Sequence, residues 1–334
     1  MNYKMVDVLK MDDMISVIVP VYNMEQYLYS SFKSLVKQTV FSEMEIIAVD
    51  DGSRDDSLNI LRRFERKYSN IHVYHQSNKG ASVARNYGFT KAKGRFITFF
   101  DADDYAEPGL YERLRELIVT KYADLSIVDY SMCFKDGSVK KHRRKIVQQW
   151  DSKREALISF FNDNLICTNP VDKMFRREVI EDISFPEGYA VGEDMFYVYK
   201  AIMNSDRIVL DSTHSLYRYI IRDNSAMTSE FSRKQLHAVE LAKMIMEELP
   251  TTDQVFEYAK ANYIHEVCKA MHLMYRGKKT KKYRNEWNYF RKVIREYPLF
   301  RAAKYMSKKR VISLMLMKCS PGLYTAVYKT MKIG

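Results

Sequence analysis

The chain has 334 residues, 46% of them hydrophobic and 13% aromatic, enough for one large domain or two unequal ones and too apolar for disordered or collagen-like classes. Its net charge of +12 is uneven: from Arg276 to Gly334, 17 Lys/Arg stand against 2 Asp/Glu, a balance of +15, so the preceding 275 residues carry −3. Four scattered cysteines, Cys133, Cys167, Cys268 and Cys319, have no CxxC or zinc-like spacing, which argues for a reducing compartment and against a disulfide scaffold.

The first apolar run, Ile15–Val21, is strand length rather than signal length, and no uninterrupted apolar stretch reaches the ~18 residues of a membrane span. Its β-branched content predicts a buried parallel strand. Met24, Tyr27, Leu28, Phe32, Leu35 and Val36 recur at helical steps. A second strand is expected at Glu45–Val49, a helix around Leu58–Phe64 and a third strand at Ile71–Tyr74. A helix over Ala81–Thr90, a strand over Arg95–Phe100, a helix over Leu110–Ile118 and a strand over Leu125–Tyr130 follow. Such alternation with short connections predicts a mostly parallel α/β sheet flanked by helices. Beyond about residue 135 the alternation stops. Lys140–Lys145 is a basic stretch, helices are expected near 151–163 and 193–204, and strand-like runs at Arg207–Leu210 and Leu216–Ile221. From about 231 the chain reads as an α-helical extension.

Ligands of open parallel sheets sit beyond the carboxyl ends of the strands, where this sequence gathers its polar residues. The first strand runs into Pro20-Val-Tyr-Asn23, the second into Asp50-Asp51-Gly52-Ser53, the fourth into Asp101-Ala-Asp103-Asp104. Each has a local reading: Ser53 or Asp55 as a helix cap, and Asp104-x-x-Glu107 before Pro108 as a capping box. Together they bring five carboxylates to one sheet edge, where they repel unless cations or hydrogen-bond donors compensate. A divalent ion shared with a ligand's phosphates is the common solution.

These motifs resemble the family 2 glycosyltransferases of GT-A (Rossmann-like) fold. The likeness is carried by Val17-Ile-Val-Pro-Val-Tyr-Asn23, Val49-Asp-Asp-Gly-Ser53, Asn78-Lys-Gly80 with Ala84-Arg-Asn86, Phe100-Asp-Ala-Asp-Asp104 and Gly192-Glu-Asp194. Phe185-Pro-Glu-Gly188 and Tyr217-x-Tyr219-x-x-Arg222-x-x-Ser225 resemble enzymes of bacterial capsule, exopolysaccharide or teichoic-acid assembly. The resemblance covers about residues 14–225. It implies a catalytic domain over 1–230, with a nucleotide-sugar half over about 14–130 and an acceptor half over about 131–230. The basic helical region over 231–334 is left for a membrane interface or oligomerisation.

The resemblance further implies an inverting transfer of one sugar from a nucleotide-diphosphate donor, expected to be UDP-linked, to a lipid-linked glycan precursor. Pro20, Tyr22, Asp50, Asp51, Ser53, Arg85, Asp101 and Arg222 would bind the nucleotide sugar, Asp50 accepting from the uracil N–H. Asp103 would ligate Mn2+ or Mg2+. Asp194 would be the base, beside Glu193, and Lys173 would lie on the acceptor side. Arg218 competes with Arg222, and His214 is a lone histidine without a ligand set. The basic, aromatic tail suggests a peripheral protein on the cytoplasmic face of the plasma membrane, or a homo-oligomer. Three other readings compete. A nucleic-acid binder is opposed by the acidic sheet edge and the absence of a known module. An idle nucleotide-sugar binder is opposed by the full set of motif carboxylates. A processive synthase is opposed by the lack of membrane spans.

Overall fold

A computed structural model describes residues 13–141, 145–162, 165–221 and 231–331. The chain forms two compact units: Met1–Ala156, Ile166–Gly188 and Tyr197–Asp223 make the first, and Leu157–Leu165, Tyr189–Phe196 and Asn224–Gly334 the second.

The first unit is built on a ten-stranded sheet. β1 (Ile15–Val21), β2 (Met44–Asp50), β3 (Ile71–His75) and β4 (Phe96–Phe99) pair in parallel in the order β3-β2-β1-β4. Four residues of this parallel part, Ile46 to Val49, show why these are strands. Ile46 and Ala48 join one apolar cluster with α1 (Glu25–Leu35) and α2 (Ser57–Lys67), while Ile47 and Val49 join another with Ala84 of α3 (Ala81–Lys91). Alternating side chains on a strand covered on both faces must be apolar throughout.

Past β4 the sheet is mixed. β9 (Lys173–Arg176) is inserted antiparallel between β4 and β6 (Leu125–Cys133), which pairs in parallel with β10 (Ile208–Ile220). β5 (Tyr105–Ala106) and β8 (Val147–Trp150) add to β10, and β7 (Val139–Lys141) adds to β6, all antiparallel. Parallel pairing thus joins β1 to β4 on one side and β6 with β10 on the other. The two expected runs at 207–210 and 216–221 are one strand, whose register shifts between Asp211 and Tyr217. α4 (Leu110–Lys121) packs Leu110, Tyr111 and Leu114 into the larger cluster. α5 (Lys153–Asn162), α6 (Arg177–Ile180) and α7 (Glu193–Met203) complete the elements up to β10.

The second unit is helical: α8 (Leu236–Glu248), α9 (Gln254–Arg276), α10 (Arg284–Glu296), α11 (Leu299–Tyr305), α12 (Lys308–Cys319) and α13 (Pro321–Met331). α9 is its hub and contacts each of the other five except α11 at more than a few points. Asp253 caps α9 by accepting from the Val255 N–H at 2.9 Å. Part of the tail's apolar content is core: Phe290, Ile294, Leu314 and Met317 are buried. Lys318 donates to the carbonyls of Arg295 (3.2 Å) and Tyr297 (2.7 Å), capping the end of α10 with a cation. No helix of the described residues is long and apolar enough to cross a membrane.

Candidate active site

Three parallel strands end in the polar motifs, and hydrogen bonds tie those motifs to each other. Asp50 closes β2 opposite His75 at the end of β3, a pairing fixed by the strand register. Asp50 is fully buried; its Oδ2 lies 2.7 Å from His75 Nδ1 and accepts from the Ser53 N–H at 3.3 Å. Its other oxygen, Oδ1, is buried and has no hydrogen-bond partner. A carboxylate oxygen held out of water without a donor is costly unless a ligand supplies one.

Asp51 points the other way. Its oxygens accept from Gln76 Nε2, the Lys79 N–H and the Gly80 N–H, all at 2.8 Å. The second carboxylate of the Asp-Asp-Gly-Ser motif therefore holds the Asn78-Lys-Gly80 loop that leads into α3. Gly52 between them has φ +73, and a Cβ there would lie 2.8 Å from the Asn78 nitrogen, so glycine alone fits. Ser53 Oγ accepts from the Asn23 N–H at 3.0 Å, and Asn23 Oδ1 accepts from the Arg54 N–H at 2.8 Å. These bonds clip the ends of β1 and β2 together. Pro20 is half-buried beside them, and Tyr22 is 39% exposed.

Arg85 extends from α3 to the fourth strand end. Its guanidinium donates to Asp101 Oδ1 at 3.0 Å and stacks 5.1 Å above the Phe185 ring. Only 5% exposed, it is no solvated helix face. Asn86 holds the Phe185 backbone from both sides, donating to its carbonyl at 2.9 Å and accepting from its N–H at 2.8 Å. The Ala-Arg-Asn motif thus joins the Asp101 turn to the Phe-Pro-Glu-Gly turn.

The carboxylates from 101 to 104 divide their work. Asp104 is buried, accepting from Tyr217 Oη at 2.6 Å and from the Ile220 N–H at 2.8 Å. Burial, then the neighbouring charges of Asp103 and Asp101, push its carboxyl well above the ordinary value. The expected capping box is absent: α4 starts after Gly109, with no side-chain cap. Asp101 and Asp103 remain half-buried. Among the described residues, no group of three or more His, Cys, Asp and Glu is arranged to hold a metal. Asp103 carries hard carboxylate oxygens of the kind Mg2+ or Mn2+ takes alongside phosphate and water.

The remaining sequence candidates lie on other elements. Glu193 and Asp194 form the first turn of α7 and belong to the second unit, where the turn before them is held by α8. The Ala190 N–H donates to His237 Nδ1 at 3.0 Å, Tyr189 packs edge-on against the His237 ring at 5.3 Å, and Gly192 (φ +92) approaches Ala238 so closely that a Cβ would sit 2.9 Å from its Cα. Lys173, expected on the acceptor side, is instead fully buried in β9, its ammonium bound to Asp172 Oδ1 at 2.7 Å and to the Asn169 carbonyl at 2.6 Å. A lysine so enclosed is a structural ion pair, not an acceptor contact. Arg218 pairs with Glu107, and His214 is exposed beside Thr213. Arg222 lies outside the described residues. His75 and His237 went unnoticed in the sequence; the pairing of β2 with β3 was the available signal for the first, and nothing local marks the second.

The family model for glycosyl transferase family 2 matches residues 16–184. The chain belongs to that family. Glycosyltransferase GlyA of Streptococcus pneumoniae is 32% identical over 237 residues, 68% of this chain but 33% of its own length. The minor teichoic acid biosynthesis protein GgaB of Bacillus subtilis is 29% identical over 220 residues, 65% of this chain and 24% of its own. The chain therefore spans a third or less of these two relatives. Poly(ribitol-phosphate) beta-N-acetylglucosaminyltransferase TarS of Staphylococcus aureus is 27% identical over 259 residues, 74% of this chain and 44% of that protein. The crystal structure of TarS 1-349 in complex with UDP-GlcNAc superposes with a TM-score of 0.67 at 22% identity, over 95% of this chain and 92% of that one. That likeness establishes the fold. In family 2 terms, the matched segment contains every motif described above from β1 to Asp104, with Arg85 and Asn86 linking them.

Proposed function

We propose that this chain is an inverting glycosyltransferase that moves one sugar from a UDP-linked donor to a hydroxyl of a cell-surface glycan precursor carried on a membrane lipid. The observation that carries the donor reading is Asp50, a buried carboxylate with one oxygen fixed by His75 and Ser53 and the other awaiting a donor. An acceptor-only group suits the imide N–H of uracil and disfavours a base that presents a lone pair there. Tyr22, exposed at the rim, supplies a ring face for the base, with Pro20 beside it. Asp51 acts through the loop it holds, and Arg85 holds Asp101, which would face the ribose. Support for a UDP-sugar and a wall-glycan acceptor comes from the names borne by TarS and GgaB.

Transfer is a single displacement. The acceptor oxygen bonds to the anomeric carbon as the bond from that carbon to phosphate oxygen breaks, the electron pair leaving with UDP. Asp194 takes the proton of the attacking hydroxyl, with Glu193 orienting it; both stand in the first turn of α7, where the helix dipole favours negative charge. Asp103 would hold Mn2+ or Mg2+, which when bound neutralises charge on the departing diphosphate. Arg222 would pair with that diphosphate.

The tail keeps the enzyme at the cytoplasmic face of the membrane. Ile312 and Met315 are exposed on α12, which also carries the exposed Lys308 and Lys309, and Leu299 and Phe300 of α11 and Leu323 of α13 are exposed as well. UDP release measured across a panel of nucleotide sugars, with and without manganese, tests the whole reading. Asp194→Asn lowers transfer by about 10²–10⁴-fold and leaves UDP affinity nearly unchanged. An Asp194→Asn enzyme of full activity moves the base to another group, and UDP binding without transfer from any donor leaves a binding protein.

A further inference from the structure

The outer surfaces of α1 and α2 enclose a groove of about 580 Å³, within the range of small-molecule sites. Its floor is apolar. Phe64 is buried there, stacked against Tyr68 at 6.3 Å and tilted against Tyr29 at 6.0 Å, with Val36 and Ile60 packed on the core beneath. Its rim is cationic: Lys33, Lys37, Arg63 and Lys67 surround it, against a single lining carboxylate, Asp56, which lies 3.8 Å from Arg63. Four positive charges and one negative leave +3, in the part of the chain that is otherwise slightly acidic. Among the described residues Lys33, Lys37 and Lys67 make no ion pair; Lys33 and Lys67 instead lie over the rings of Tyr29 and Tyr68, at 5.8 and 5.3 Å.

We propose that this groove binds a phosphate-headed lipid, with the phosphate among Lys33, Lys37, Arg63 and Lys67 and the first methylenes of the chains on Tyr29, Phe64 and Tyr68. The charge complementarity selects an anion. The apolar floor selects its body: a free phosphate gains nothing from exposed aromatic and aliphatic surface, and a polynucleotide needs an extended track rather than a compact cleft. The groove lies wholly within the first unit, so the inference stands apart from the donor chemistry and from the basic tail.

Calorimetric titration of the full chain with dihexanoyl phosphatidate, kept monomeric below its micelle threshold, tests it. Saturable binding is expected, at least about tenfold tighter than glycerol 3-phosphate, since two buried methylenes alone are worth that factor. Dihexanoyl phosphatidylcholine, whose head group is neutral overall, binds at least about tenfold more weakly than the phosphatidate, as loss of a charge-assisted contact requires. Charge reversal by Lys33→Glu with Arg63→Glu abolishes the binding, and Lys281→Glu with Lys282→Glu in the tail leaves it intact. If the reversed chain does not fold, Lys33→Ala with Lys67→Ala is titrated in its place and is expected to weaken the binding. A flat phosphatidate titration overturns the proposal. So does glycerol 3-phosphate binding as tightly, or a groove variant that titrates like the native chain.

Discussion

The two units handle charge in opposite ways. In the first, negative charge is gathered at strand ends and nearly every carboxylate is given a specific job: Asp51 holds a loop, Asp104 ties down β10, Asp101 receives Arg85. In the second, positive charge is spread over helix surfaces, and the cations that do turn inward serve helix ends or carbonyls, as Lys318 and Arg310 do. The contrast separates two uses of a charged side chain. Charge concentrated at fixed main-chain positions can be aimed at a ligand. Charge distributed around an apolar seam sets what surface the unit can lie against.

Lys173 gives the sharpest way to break that contrast, because it is a cation buried in the acidic unit. Replacing it by Met removes the cation that faces buried Asp172, a loss of up to about 3–5 kcal/mol. Urea unfolding of Lys173→Met is expected to show that loss, and Lys173→Met with Asp172→Leu to recover much of it. A stable Lys173→Met chain with impaired transfer would restore the acceptor-side role.

A smaller effect is expected at the base pocket. Asp50→Asn keeps an acceptor but loses the charge and its match to His75, and a hydrogen bond to a charged group is worth about 1.5–3 kcal/mol. UDP affinity should therefore fall roughly ten- to hundredfold, with folding stability little changed. Unchanged UDP affinity would mean that the orphaned oxygen of Asp50 faces no base, and would remove the end of β2 from the donor site.

What could be read from the sequence follows the same division. β1 was legible to the residue, Ile15–Val21, because a parallel strand covered on both faces is a near-continuous apolar, β-branched run, here interrupted only by Ser16. The motif clusters were legible because they sit at the ends of such strands. β9 was not: Lys-Met-Phe-Arg reads as polar, and its lysine is neutralised by a neighbour that only the fold reveals. Asp104 looked like a local cap because its spacing to Glu107 fits one; its partners lie more than a hundred residues away in β10. In the tail, a helical, basic and aromatic composition was legible without showing that Phe290 and Met317 belong to a core while Phe300 and Met315 do not.

The smallest expected effect probes the second unit through His265 of α9. Burial, with the charges of Arg310 and Lys269 nearby, pushes its imidazole well below the ordinary 6.5. The folded helical unit thus keeps this ring neutral where the unfolded chain would protonate it. Below pH 6.5 the unfolded state binds more protons, so stability falls as the pH is lowered; above 6.5 neither state holds the proton and the contribution is constant. The slope is limited to about 1.4 kcal/mol per pH unit for one group. Unfolding of the native chain between pH 8 and pH 5, compared with His265→Gln, isolates it: the native chain should lose stability more steeply below 6.5, and the two curves should run parallel above. Curves that stay parallel down to pH 5 would mean that the ring protonates in place. The second unit would then carry its charge without cost, like the surfaces around it, and the distinction drawn between inward and outward cations would fail at this helix.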